Sequence, residues 1–428
     1  MTAPPGRLAA VLSPDLRRLL ALIAVCFVDM IGLLMIAPLL PFYALRLGGS
    51  ASTVGPLFSA FAVAQLLASP IWGRVSDRHG RRPVLLIGLL ASALAYLVFG
   101  FANALWLLFV CRFVQGFGGG TTGVTQAYVA DTVPPADRAK ALGWLSAATS
   151  LGVSVGAVLG SLTHQLWGDR GPGLAAAALV LLNVAFAWKW LPESRVVAAP
   201  RPDGGAPRRA AGVVGAAGSW LEAVDHVARP LWNVIRHPAR PVSEVIWVYG
   251  IGMLALNSLI AVLSLYLQRR FGMNENNVGP VYFVFSAVGV LMRTYPVGWI
   301  NARLGEVRTM RLGAVLLGIG LLLMPLPTTR WGFIACLVLA PIGTALLFPA
   351  STALVSQRTD RNEYGVQMGA QQTLRGIMAI VGPIGATLAF QDLGPSVPFF
   401  IAAGVVAVAA LVAWRVRAPR PQPTAVPA

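Results

Sequence analysis

GRVSDRHGRRP, residues 73–83, crowds four arginines and one aspartate into eleven residues between two apolar runs, 54–72 and 83–102. A bilayer core is about 30 Å thick, and a helix crosses it with about 20 apolar residues. Both flanking runs are long enough. The loop between them reads as a short cationic connection held on one face of a membrane, with Gly80 suited to a tight turn and Asp77 to a helix N-terminus.

The rest of the chain extends this reading. Of 428 residues, 56% are hydrophobic and 11% charged, with a mean hydropathy of +0.70; soluble domains carry about a quarter charged residues. Twelve spans are predicted, at 19–45, 54–72, 83–102, 104–128, 140–163, 173–191, 243–268, 278–299, 308–326, 331–355, 366–390 and 396–414. All must be helical, because lipid-facing backbone has to satisfy its own hydrogen bonds. The first run, preceded by Arg17 and Arg18, has some features of a signal peptide, but its length, its Asp29 and the lack of a small-residue cleavage site make it the first span. The net charge of +17 suggests a nucleic-acid partner only until the basic residues are placed. With both termini on one side, 24 Arg and Lys fall on that side and five on the other. This bias predicts cytoplasmic termini in a cell membrane and no nucleic-acid partner. Cys26, Cys111 and Cys336 lie in apolar runs, and neither they nor the four histidines form a metal-ligand pattern, so no cofactor is expected.

The rhythm breaks once. The expected layout is a cytoplasmic N-terminus (1–18), a six-helix half (19–191), a linker (192–241), a second six-helix half (242–415) and a cytoplasmic tail (416–428). Residues 196–219 are linker-like in composition. Then Trp220, Val224, Val227, Leu231 and Ile235 recur at helical spacing, with polar residues between them. Two readings stay open: a surface-lying amphipathic helix or a linker helix packed on protein. Across this midpoint the chain repeats. Val54-Gly55-Pro56 returns as Val278-Gly279-Pro280, Gly48 as Gly272, Gly80 as Gly305, Trp106 as Trp331 and Gly143 as Gly369, all at offsets of 224–226. Two six-helix halves in the same orientation form a parallel repeat, which places a substrate site near the midplane.

The spacing G-x-x-x-D-R-x-G-R-R in 73–82 resembles the signature loop of the major facilitator superfamily, as do the twelve spans and the repeat. The resemblance implies an all-α membrane fold and a role for Asp77, Arg81 and Asp131 in a charge cluster that locks one state, with Gly73 and Gly80 shaping the loop. A second reading is that these charges only set topology. The second copy carries Ala302 where Asp77 stands, so the lock is expected on one half only. Leu108 to Gly118 is similar to the family's second motif, with Arg112, Gln115 and Gly116 in register. Arg112 lies at a depth where an unpaired charge is costly; it is either functional or structurally paired. Gly152, Gly156 and Gly160 partly match the antiporter motif, with Ala157 in place of proline and Ser161 in place of the last glycine. A small-residue packing face explains them equally well. Gly382-Pro383 is the second-half counterpart.

Asp29-x-x-Gly32 followed by Pro38 and Pro41 resembles the start of the drug:proton antiporter branch, which includes tetracycline and multidrug exporters. A carboxylate in low dielectric favours its protonated form, so Asp29 is a candidate for exchanging a proton or attracting a cation, tuned by Arg112. The alternative is a fixed pair that only holds helices together. Gln65, Gln115, Gln126, Asn183, Asn257, Gln371 and Gln372 are available to line a cavity or bond between helices, Asn257 being the preferred cavity residue of the second half. Arg375 is either cavity-facing or snorkelling; Arg293 and Lys189 fit snorkelling better.

The expectation is a monomeric secondary transporter in a lipid bilayer, exporting small amphipathic molecules against protons by alternating access. The alternative is a proton-coupled or facilitative transporter of a sugar or organic acid with the same fold. The spans lack the clustered titratable residues of a membrane enzyme, and no G-x-x-x-x-G-K-[ST] loop occurs.

Overall fold

The computed structural model describes residues 14–134, 137–194, 231–360 and 363–416. Most of the expected amphipathic segment, including Trp220, Val224 and Val227, lies outside the described residues; 231–236 is helical. The helices are α1 (Pro14–Ile36), α2 (Leu40–Arg46), α3 (Ala51–His79), α4 (Arg81–Gly100), α5 (Leu105–Gly119), α6 (Thr122–Thr132), α7 (Arg138–Trp167) and α8 (Gly171–Trp190). There follow α9 (Pro241–Phe271), α10 (Gly279–Thr294), α11 (Pro296–Leu304), α12 (Glu306–Leu323), α13 (Arg330–Leu337), α14 (Leu339–Arg358), α15 (Tyr364–Asp392) and α16 (Val397–Arg415).

Each of the twelve predicted spans falls on helix, several in two pieces. By length and apolarity alone, eight described runs can cross a membrane, one of them (Lys140–Trp190) holding two helices. The eighth span is α10 and α11, bent by 52°. Pro296 removes a backbone donor there and restricts Tyr295, whose φ and ψ are −130° and −50°. The fourth span breaks at Gly120 between α5 and α6. α12 is short and begins with charge.

Two compact units emerge, Met1–Ala210 with Ser264–Val290, and Ala211–Leu263 with Leu291–Ala428. The end of α9 and all but the last turn of α10 therefore cluster with the first unit, although the repeat assigns them to the second half. In the first unit α1 packs on α7 and α8, α4 on α5 and α8, and α3 on α5. α4 shows why. Leu85, Leu89, Tyr96 and Phe99 are buried, whereas Ile87, Leu90, Leu94, Leu97 and Phe101 form an exposed apolar stripe. An apolar exterior at helical spacing is what lipid contact requires. In the second unit α12 packs on α14 and α16, and Arg311 donates to the carbonyls of Ala413, Trp414 and Val416 at 2.8–3.0 Å, satisfying the end of α16. The repeat is also visible in local structure: Gly80 and Gly305 both turn with positive φ (96° and 76°), and Trp106 and Trp331 both stand exposed at helix starts.

Candidate functional site

Asp29 sits in the middle of α1, a helix held by close backbone approach. A Cβ added at Gly152, Gly156 or Gly160 of α7 would lie 2.5, 2.5 and 2.2 Å from the carbonyl oxygens of Phe27, Ile31 and Met35. The glycines of the antiporter-like motif thus bring α7 against the turns on either side of Asp29. Asn183 of α8 donates to the Val25 carbonyl at 2.9 Å, a bond between helices. Among the described residues the Asp29 carboxylate makes no hydrogen bond or ion pair.

Arg112 does not pair with it. Its guanidinium donates to Gln115 Oε1 at 3.0 Å and lies over Phe61 and Phe58, 4.6 and 5.6 Å from the ring centroids. Arg112 Nε and Gln115 Nε2 are buried donors with no hydrogen-bond partner among the described residues. The fixed Asp29–Arg112 pair of the alternative reading does not form, and a less direct arrangement links the two. Tyr96 of α4, 2% exposed, lies within electrostatic reach of both Asp29 and Arg112. Gly32, one turn beyond Asp29, makes room for it: a Cβ there would sit 3.3 Å from the Tyr96 ring and 2.8 Å from Val180. Gly116 likewise lets α5 meet the Phe61 carbonyl. Sequence alone gave Tyr96 no distinction from other core aromatics.

The loop charges come together, with Asp77 in the last turn of α3 and not near a helix N-terminus as expected, because α3 runs on to His79. Arg81 reaches Asp77 at 2.7 Å and Asp131 at 3.1 Å, and donates to Ser76 Oγ at 2.7 Å. Sequence reasoning missed Glu193, just beyond α8. Its carboxylate accepts from the amides of Arg81 (2.8 Å) and Arg82 (3.1 Å), capping α4, while Ser194 Oγ donates to Asp131 at 3.5 Å. Gly73 faces open space. In the second unit the corresponding turn holds no such bridge: Arg303 lies over Trp299 at 4.0 Å, and Glu306 accepts from Asn301 and Gln357.

A second polar cluster in the first unit was not expected from sequence. Arg46 pairs with both Asp169 and Glu275. His164 bonds Asp169 at 3.1 Å and Asn276 at 2.8 Å, and Tyr43 donates to the Asp169 carbonyl. The hydrogen bond from Arg46 holds the Asp169 carboxyl below its ordinary range, against a smaller opposing effect of burial.

In the second unit Asn257 bonds back to the Met253 carbonyl at 2.7 Å, Gln371 to Thr352 Oγ1 at 3.3 Å, and Arg375 to Gln372 at 3.3 Å. Gly382 accepts from Ser258 at 3.1 Å, so Gly382-Pro383 marks where α15 meets α9. Gln65 bonds the Gly119 carbonyl at 3.2 Å, and Gln126 is exposed.

Comparison with known proteins matches the Major Facilitator Superfamily profile over residues 22–383 and 294–428. The chain is 29% identical over 376 residues to a class G tetracycline resistance protein of Vibrio anguillarum, covering 87% of this chain and 90% of that one. It is 27% identical over 386 residues to multidrug resistance protein 2 of Bacillus subtilis (strain 168), covering 89% and 90%. Among solved structures it resembles a human organic anion transporter (TM-score 0.69, 21% identity, covering 94% of this chain and 100% of that chain). It also resembles a bacterial homologue of the human lysosomal transporter Spinster in an inward-facing conformation (TM-score 0.72, 15% identity, 95% and 97%).

Proposed function

The chain belongs to the Major Facilitator Superfamily and is a multi-pass membrane transporter rather than an enzyme, and from that premise we propose that it exports small amphipathic, drug-like molecules in exchange for protons. The observation that carries the reading is Asp29: one carboxylate at membrane depth in α1, without an ion-pair partner among the described residues, beside a tyrosine within reach of a buried arginine. A carboxylate without a permanent cation can lose and regain its proton as its surroundings change. The relatives named as tetracycline and multidrug resistance proteins support the cargo class.

In this reading the protein is a monomer of the cell's inner membrane with both termini cytoplasmic, and the proton is its coupling ion. Asp29 takes a proton from the acidic side and gives it up inside, and Arg112 biases that exchange through Tyr96. The Asp77–Arg81–Asp131 cluster holds one state closed. Alternating access follows as the two halves rock about a midplane site. A second reading, a metabolite transporter of the same fold, is favoured by one feature: Ala157 and Ser161 depart from the antiporter motif, and Ser161 Oγ accepts from the Gly279 amide at 3.0 Å.

The test is an accumulation and resistance screen in an efflux-deficient host, with cationic, neutral and anionic compounds, with and without a protonophore. Export predicts lower accumulation that both the protonophore and Asp29→Asn abolish. Protonophore-insensitive inward flux of a sugar or organic acid would establish the second reading instead.

A further inference from the structure

Arg375 is a cation without a counter-charge. It lies eleven residues into α15, about 16 Å along the helix axis, and is exposed. It donates to Gln372 Oε1 and forms no ion pair among the described residues. The described carboxylates of the second unit stand at or beside helix ends: Glu244 near the start of α9, Glu306 at the start of α12, Asp360 and Glu363 before α15, and Asp392 at its end. None lies at the depth of Arg375.

Its exposed face is turned away from the exposed apolar residues in the second half of the same helix. Val381 and Leu388 are the exposed large apolar residues in the second half of α15. At about 100° per residue, Gln372 lies roughly 160–180° and Arg375 roughly 120–140° around the helix from them. A guanidinium at mid-depth turned to hydrocarbon is too costly, so the opposite face must be wet or ligand-lined. Gly369, less than two turns before Arg375, faces open space. On the neighbouring helix, Tyr249 lies within electrostatic reach of Arg375 and packs edge-on against Phe348, ring centroids 5.2 Å apart. The helices meet there because a Cβ at Gly250 would collide with Leu374 at 2.5 Å.

We propose that Arg375 and Gln372 form a subsite for the anionic end of an amphipathic cargo, a carboxylate-type oxyanion. The guanidinium supplies charge-assisted hydrogen bonds to the oxyanion, and Gln372 positions the guanidinium. The subsite deepens the export reading and rests on it for direction of transport, but binding at Arg375 is separable from proton coupling at Asp29.

The test uses the purified full chain in nanodiscs, with 1-naphthoate and its neutral isostere 1-naphthamide as probes and tryptophan quenching as the readout. Wild type is expected to bind the anion about ten-fold more tightly than the amide, the scale of one charge-assisted hydrogen bond. Two neutral variants, Arg375→Gln and Arg375→Met, are both expected to erase that preference; using two keeps the test decisive if one fails to fold. Asp29→Asn is expected to retain the preference while losing proton-coupled transport. Equal affinities in wild type, or a folded neutral variant that still prefers the anion, would overturn the subsite. A preserved preference together with protonophore-insensitive flux would overturn only the export reading.

Discussion

Glu193 accepts a hydrogen bond from the backbone amide of Arg81 at 2.8 Å, joining residues 112 apart in sequence. The same carboxylate accepts from Arg82 and stands where any side chain at Gly80 would collide, 2.4 Å from Oε2. The signature loop is therefore shaped by the segment that leaves the sixth span, which also begins the linker.

Glu193 does the work of an N-terminal cap supplied from a distance. Replacing it with alanine leaves two amides of α4 unsatisfied and removes negative charge from the helix N-terminus, a loss of about 1 kcal/mol. Thermal unfolding of the detergent-purified chain should show a lower Tm for Glu193→Ala, with Glu193→Gln between it and wild type. An unchanged Tm in the alanine variant would mean the cap contributes nothing.

The Arg81 pairs make a coupled prediction. Arg81→Gln and Asp131→Asn should each reduce transport by about ten-fold, within the range a gating coupling of 1–3 kcal/mol allows. The double variant should be no worse than either single one, because both remove the same 3.1 Å contact. Additive losses would show that the two residues act separately.

The glycines of α7 are tested by contrast within one helix. Gly156→Ala and Gly160→Ala push a methyl into the α1 backbone, and such overpacking costs about 1–3 kcal/mol. Gly143→Ala meets nothing within 4 Å. Folded yield by size-exclusion chromatography should fall for the first two and hold for the third. A fall for all three would point to helix flexibility instead of close packing.

The Asp169 cluster gives a pH dependence with a defined sign. Arg46 depresses the folded-state pKa of Asp169, so the stabilisation is present above the ordinary aspartate pKa of about 3.9 and is lost as pH falls through the lower folded value. Its side chain is 58% exposed, so the effect is a modest acid limb. Unfolding temperature against pH should lose that limb in Asp169→Asn; a limb of the same size in the variant would assign it elsewhere.

What the sequence revealed and what it hid divide along physical lines. The spans were legible because a bilayer imposes a length and a polarity that no other constraint mimics, as in the run from 83 to 102. The loop cluster was legible through the family resemblance that the 73–82 spacing carries, which implied Asp131 as the partner of Asp77 and Arg81. The bend at Tyr295 was not, because Pro56, Pro70 and Pro349 lie inside unbroken helices, so a proline alone does not mark a break. Glu193 was hidden because nothing local distinguishes a distant cap from a solvated acid. A fixed pair of Asp29 with Arg112 stayed open as an alternative to tuning, and Gln115, one turn along the same helix, takes the guanidinium instead. The grouping of 264–290 with the first unit depends on contacts such as Arg46 with Glu275, which no periodicity encodes.

The central claim is that Asp29 couples proton movement to cargo movement. The direct measurement uses the reconstituted full chain in liposomes loaded with a pH-sensitive dye, with ethidium, tetracycline and 1-naphthoate as cargoes. Wild type should dissipate an imposed pH gradient when cargo is added and accumulate cargo against its own gradient. Asp29→Asn should exchange labelled for unlabelled cargo normally while moving no protons and accumulating nothing. An Asp29→Asn protein that still dissipates the pH gradient and accumulates cargo at the wild-type level would contradict the account.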